Sequence, residues 1–246
     1  MLENRRLDKS IPMPLYYQLK TIIAEEIENG SYPVGSLIPT EAELSEMFAI
    51  SRTTVRQAIA ELVHEEKLYR IKSKGTYVAR QKIQQDFMNR LRSFNDEMVA
   101  GGRRPSTEVL SFAVADTPQE ARDMGCSWPK KSLLLQRRRS ADGEAVVCVQ
   151  TYLPYDKCYS LMSHDFTKES LYTVMAADEN TRVVRVCRIC EAVAADKQDA
   201  EWLGIKKGSP VHFITTFGYN QAGEVVEYSR ARYRGDQNKF YVELTL

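Results

Sequence analysis

Residues 39–78 read PTEAELSEMFAISRTTVRQAIAELVHEEKLYRIKSKGTYV, and this stretch decides how the N-terminal part of the chain folds. Thr40 followed three residues later by Glu43 is the pattern of a capping box, so a helix begins here. Leu44, Met47 and Phe48 recur at helical spacing and give that helix one apolar side. The break at Ala49-Ile50 leads to Ser51, a second N-cap residue, and a second helix follows. Val55, Ile59, Leu62 and Val63 line its buried side, while Arg52, Thr53, Thr54, Arg56 and Gln57 occupy its first turn and open face. Arg52 and Arg56 lie four apart and project from one side. Lys72, Ser73, Lys74 and Gly75 then form a basic hairpin tip, with Gly75 free to take positive φ. Helix, tight turn, helix and basic hairpin make a winged helix-turn-helix.

The chemistry of that open face is what a reader of duplex DNA requires. Arginine bridges guanine edges bidentately, and hydroxyls and backbone N–H groups hold phosphates. With Thr40 and Glu41 at the start of the first helix, the expected DNA-contact set is Thr40, Glu41, Ser51, Arg52, Thr53, Thr54, Arg56, Gln57, Lys72, Ser73, Lys74 and Gly75. A helical bundle with solvated arginines would account for any one of these residues. It does not account for the charge distribution. Residues 52–82 carry eight Lys/Arg against three Asp/Glu, whereas residues 1–51 carry four against eight. A chain of formal charge +1 thus concentrates its positive charge on the reading helix and wing, the electrostatic footprint of phosphate contact.

Composition narrows the remaining classes. A length of 246 residues suits one large or two modest domains, and 43% hydrophobic content with mixed charge suits an ordinary water-exposed fold. No apolar run approaches the roughly 18 residues of a membrane span. The N-terminal MLENRRLDKSIP has no apolar core of a secretory signal, so the expected location is the cytoplasm. The five cysteines, an odd number, are expected to be reduced thiols. Cys187 and Cys190 form a C-x-x-C, but in a β-branched stretch that reads as a strand. Residues three apart on a strand face opposite sides, so the two sulfurs cannot share a metal. Neither a metal nor a cofactor is expected.

Upstream, Leu15, Leu19, Ile22, Ile23 and Ile27 make a helical apolar stripe ended by Asn29-Gly30. Residues 11–78 are therefore read as the DNA-binding domain, and the polar stretch 79–92 as a linker. Residues 93–246 mix helices and strands. Ser93 caps a helix closed by Gly101-Gly102. Strand patterns run over 108–115, 133–139, 146–153, 183–192, 211–219 and 225–233, helical ones over 118–124, 170–176 and 197–203. Ala222-Gly223 turns the last hairpin. Successive strands joined by short turns predict an antiparallel sheet with packed helices, hence an α+β class.

Two strands carry candidate binding groups. Arg137 and Arg139 share one strand face and can clamp a phosphate or carboxylate, while Arg138 points away. Glu227, Ser229, Ala231 and Tyr233 share a face of the last strand, a mixed acid, hydroxyl and phenol surface suited to a polyol.

Leu15-Tyr16-Tyr17-Gln18, Pro39-Thr40-Glu41, Ser51 to Ala58 and Lys74 to Val78 together resemble the GntR family of bacterial transcription regulators. Leu203-Gly204, Gly208-Ser209-Pro210-Val211 and Tyr233-Arg234-Gly235-Asp236 resemble the effector-binding UTRA domain of its HutC subfamily. The likeness spans roughly residues 11–243. It implies a chorismate lyase-like antiparallel sheet with packed helices, duplex operator DNA as one partner, a small anionic effector such as a sugar phosphate as another, and a homodimeric repressor. Members responsive to amino-sugar phosphates place the effector at positions equivalent to Ser93, Phe94, Asn95, Arg137, Arg139, Ser170, Tyr172, Glu227 and Tyr233. This chain departs from the pattern at Ala42, often arginine, at Ser73, usually glycine, and at Val149, where those relatives carry an acid. The rival reading is an enzyme, since chorismate lyase shares the fold. No Ser–His–Asp pattern, metal cluster or phosphate-binding glycine loop supports it.

Overall fold

The computed structural model describes residues 2–80, 82–88, 93–123, 126, 128 and 130–244. They form two compact units, Met1–Gln81 and Lys82–Leu246. In the first, α1 (Leu15–Glu28) packs on α3 (Arg52–His64), with α2 (Glu41–Phe48) between them in sequence. β1 (Leu68–Ile71) and β2 (Gly75–Val78) form the hairpin. Both helix starts are local events. Thr40 Oγ1 accepts from Glu43 N at 3.3 Å while the Glu43 carboxylate accepts from Thr40 N at 2.7 Å. Ser51 Oγ accepts from Thr54 N at 3.1 Å. Between the helices Ala49 takes a left-handed φ of 50°, which sets the sharp turn. Leu19, Ile23, Leu44, Phe48, Val55, Ile59 and Leu62 meet in one core.

This unit reaches further upstream than residue 11. Leu2 is only 1% exposed and joins the same core. The buried Gln18 ties the intervening arm down: its Oε1 accepts from Asp8 N at 2.9 Å, and its Nε2 donates to Asp8 O and Met13 O at 2.8 Å each. Two leucines, Leu2 and Leu7, five apart among polar residues carry no helical or strand period, so the arm was illegible in the sequence.

The second unit opens with β3 (Ile83–Gln85) and α4 (Phe94–Ala100), then β4 (Pro105–Asp116), α5 (Gln119–Asp123), β5 (Lys131–Ala141), β6 (Glu144–Pro154), α6 (Tyr155–Cys158), α7 (Leu171–Met175), β7 (Arg185–Ala194), α8 (Lys197–Leu203), β8 (Pro210–Tyr219), β9 (Val225–Arg234) and β10 (Asn238–Phe240). Six of the strands form one antiparallel sheet in the order β4-β5-β6-β9-β8-β7. One face is covered at one end by α4, whose Phe94 and Met98 pack with Val147, Ile214 and Tyr233, and at the other by α7 with Leu133, Leu135 and Leu153. The opposite face carries α8 and the Tyr152, Phe217 and Tyr228 cluster.

The expected linker 79–92 is corrected at its centre. Ile83–Gln85 is a strand paired in parallel with β10, and the buried Gln85 Nε2 donates to the buried Asn238 Oδ1 at 2.7 Å. A polar segment becomes structural here because its amides find partners some 150 residues away, which no local pattern records. Residues 81 and 89–92 of that expectation, Met124 of the expected helix 118–124, and residues 245–246 of the expected domain lie outside the described residues.

Candidate functional site

The reading face is built by α3 and the hairpin. Arg52, Thr53, Arg56 and Gln57 are exposed at the start of α3, with Thr54 half-buried beside its cap. Lys72, Ser73 and Lys74 are exposed at the hairpin tip. Glu41 stands apart within the expected contact set. Its two oxygens hold Arg56 Nε at 3.2 Å and Arg70 Nη2 at 3.0 Å, so the carboxylate aims one arginine of α3 and one of β1. A carboxylate repels phosphate, so its place at this face is to orient cations. Arg70 on β1 was missed in the sequence because its neighbours there are apolar. By contrast Arg52 makes no ion pair among the described residues.

Ser73 carries a left-handed φ of 62° and Gly75 a φ of 125°, with Leu37 Cδ1 only 2.6 Å from where a Cβ on Gly75 would sit. Left-handed backbone costs a non-glycine residue about 1–2 kcal/mol, part of which glycine gives back in chain entropy. Ser73→Gly is therefore expected to stabilise the hairpin by about 0.5–1 kcal/mol. Thermal unfolding measures this, and a lower melting temperature would contradict it.

On the covered face of the large sheet, a cleft with a cavity volume of about 100 Å³ lies between α4 and α7. Ser93, Phe94, Arg137, Arg139, Ser170, Tyr172, Glu227 and Tyr233 all line it, so strand parity and helix starts bring eight of the nine expected residues together. Asn95 lines an adjoining cleft instead, with Thr107, Thr167 and Glu169. Ser93 caps α4 as expected: its Oγ accepts from Asp96 N at 3.2 Å and donates to the Asp96 carboxylate at 2.7 Å.

The electrostatics centre on Arg137 and Arg139. Arg137 is 4% exposed, and the Nε of both arginines is buried without a hydrogen-bond partner. Neither forms an ion pair with a carboxylate among the described residues. Burial, and for Arg137 the adjacent Arg139 charge, lowers the basicity of both; Glu227 offsets part of this. Glu227 is itself buried, which raises its carboxyl above the usual range against the hydrogen bonds from Tyr172 and Ser229. Tyr172 donates to Glu227 Oε2 at 2.7 Å, and burial pushes its phenol well up. Gly218 stands opposite Glu227 in the register; a Cβ there would lie 2.9 Å from Oε2, so glycine makes room for the acid.

Sequence reading missed seven lining groups: Phe87, Glu97, Thr151, Leu171, Arg188, Ile214 and Thr216. Glu97 Oε1 accepts from Asp86 N, and from Phe87 N at 2.9 Å. Arg188 Nη1 donates to Phe87 O at 3.0 Å, and its guanidinium lies 5.0 Å from the Phe87 ring centre. The Phe87 ring stacks on Tyr233 at 5.5 Å. The clue for Arg188 was parity within β7, which places it on the face opposite Cys187. Among the described residues no cluster of His, Cys, Asp or Glu is placed to hold a metal.

A winged helix-turn-helix joined in sequence to a cation-lined cleft defines a DNA-binding transcription regulator. Comparison with known proteins agrees. Residues 15–78 match the bacterial regulatory proteins of the gntR family, and residues 100–239 match the UTRA domain. The HTH-type transcriptional repressor NagR of Bacillus subtilis (strain 168) is 32% identical over 95% of this chain and 96% of its own. The mannosyl-D-glycerate transport/metabolism system repressor MngR of Escherichia coli (strain K12) is 26% identical over 92% of this chain and 94% of its own. The crystal structure of PhnF from Mycobacterium smegmatis superposes with a TM-score of 0.74 at 25% identity, covering 94% of this chain and 98% of that one. The chain belongs to the gntR family and carries a UTRA domain. It is a transcription regulator, and the enzyme alternative is set aside because the family is one of regulatory proteins and NagR and MngR are repressors. Among the described residues no helix is long and apolar enough to cross a membrane.

Proposed function

We propose that this regulator is a cytoplasmic, homodimeric repressor of the HutC type whose hold on its operator is controlled by a small anionic effector, with a phosphate group bound by Arg137 and Arg139. The observation that carries this reading is the buried Arg137 beside the half-buried Arg139, each with a buried, unpartnered Nε and no carboxylate partner among the described residues. Buried charge is costly unless paired, so a buried cation beside a half-buried one is best explained by an anion that arrives from outside. Ser93, Phe94, Ser170, Tyr172, Glu227 and Tyr233 would shape the rest of the site. The named relatives NagR and MngR are repressors, which supports the same sign of regulation here.

Residues 11–78, with the upstream arm, would dock α3 in the major groove through Arg52, Thr53, Thr54, Arg56 and Gln57. The tip Lys72, Ser73, Lys74 and Gly75 would lie along the backbone. One reading helix covers a short half-site, so a dimer on half-sites about one helical turn apart, roughly 34 Å, is the arrangement that yields specificity. The effector acts only by binding one arrangement of the dimer better than another, because equal affinity shifts nothing.

Fluorescence anisotropy on a labelled operator tests this. A phosphorylated sugar is expected to weaken operator binding at concentrations where its dephosphorylated form has no effect. Sedimentation is expected to show a dimer at micromolar concentration. Equal effects of the phosphorylated and free sugars would defeat the phosphate assignment, and a monomer with and without DNA would defeat the dimer.

A further inference from the structure

Three segments of the first unit meet at one carboxylate. Glu41, the first residue of α2, accepts from Arg56 Nε on α3 with Oε2 and from Arg70 Nη2 on β1 with Oε1. Among the described residues these are the only side-chain hydrogen bonds of the two arginines. Arg56 therefore keeps both terminal nitrogens free, the fork that spans O6 and N7 of a guanine. Arg70 keeps Nε and Nη1. The acid lies deeper than the cations it holds, at 29% exposure against 65% for Arg56 and 43% for Arg70. Exposed ion pairs contribute little to stability, so this arrangement matters for placement. Arg70 stands two residues before the hairpin tip that begins at Lys72. Fixing its guanidinium to α2 therefore also fixes how the hairpin approaches the duplex that α3 reads.

We propose that Glu41 is a positioning residue for operator reading, and that Arg70 is a further DNA contact on β1, directed to a phosphate. The proposal rests on the docking of α3 in the major groove described above. Through Arg56 Nε, Glu41 fixes the plane of the guanidinium before DNA arrives. Less side-chain freedom is then lost when the fork meets a base edge. Through Arg70 it ties the base of the wing to the same point, so α3 and the hairpin present their cations as one set. The two arginines in return cover both carboxylate oxygens. The three side chains together carry one net positive charge, and no phosphate meets the acid uncompensated. Removing Arg70 does two things at once: it deletes a phosphate contact and leaves Oε1 of the acid bare beside the DNA, where like charges repel.

Fluorescence anisotropy on the full chain tests this with two labelled duplexes: one that the protein selects from a random-sequence pool, and a scrambled duplex of the same composition. In Glu41→Gln, which keeps the side-chain size, affinity for the scrambled duplex is expected to hold or rise, because a negative charge is gone. Its preference for the selected duplex is expected to fall about tenfold, within the discrimination that a bidentate base contact supplies. Its melting temperature is expected to stay close to that of the natural protein. In Arg70→Ala both affinities are expected to fall, and the salt slope to drop by about one. The two changes are expected not to add. Arg70→Ala should cost less affinity in the Glu41→Gln background, where no bare carboxylate remains. An unchanged preference in Glu41→Gln overturns the positioning role, since an acid that merely repels phosphate moves both affinities alike. An unchanged salt slope in Arg70→Ala overturns the added contact. If Arg52→Ala and Arg56→Ala leave the preference intact as well, the docking of α3 itself fails, and the proposal fails with it.

Discussion

In an Arg137→Leu variant, effector affinity is expected to fall about 10- to 150-fold, the equivalent of roughly 1.5–3 kcal/mol for hydrogen bonds to a charged group. The same variant is expected to unfold at a higher temperature than the natural protein when no ligand is present. Both effects come from one fact: the guanidinium is 4% exposed, its Nε is unpartnered, and the neighbouring Arg139 adds repulsion. Exchanging buried ionic groups for well-packed apolar side chains is often neutral or stabilising, by up to about 4 kcal/mol. Ligand would then stabilise the natural protein and not the variant, because stabilisation by mass action requires binding to the folded state. Thermal melts with and without ligand, paired with calorimetry, measure both effects. Unchanged affinity together with a lower melting temperature would show that Arg137 is a structural residue satisfied by its surroundings.

Arg52→Ala is expected to weaken operator binding by about 1–3 kcal/mol while leaving affinity for a scrambled duplex nearly unchanged. Arg52 is exposed in the first turn of α3 and forms no ion pair among the described residues, whereas Arg56 is already held by Glu41 at 3.2 Å. A free arginine at the helix start can turn to a base edge without first breaking a contact. Lys74→Ala serves as the control, since a wing lysine on phosphate should lower affinity for both duplexes alike and reduce the salt slope by about one. If Arg52→Ala lowers both affinities in the same proportion, Arg52 also meets only the backbone, and the base-reading role passes to Arg56 or Gln57.

Where an effect is local, these residues could be read before any fold was seen. The caps at Thr40 and Ser51 each depend on a hydrogen bond spanning three residues, so the two helices of the reading head were legible directly. Strand alternation likewise put Arg137 with Arg139, and Glu227 with Ser229, Ala231 and Tyr233, because a period of two needs no knowledge of neighbours. What lies beside each strand is a different matter. Only the tertiary structure sets β6 against β9 and β9 against β8, and so lines up Thr151, Ser229, Thr216 and Arg188 from four separate segments. It also draws Phe87 out of an apparently polar connector onto Tyr233, gives Glu97 two backbone donors, and turns Asn95 into an adjoining cleft. The physical reason is range. Capping and alternation are settled within one turn or one pleat, whereas strand order, register and the burial of an unpaired charge depend on which distant segments exclude water together.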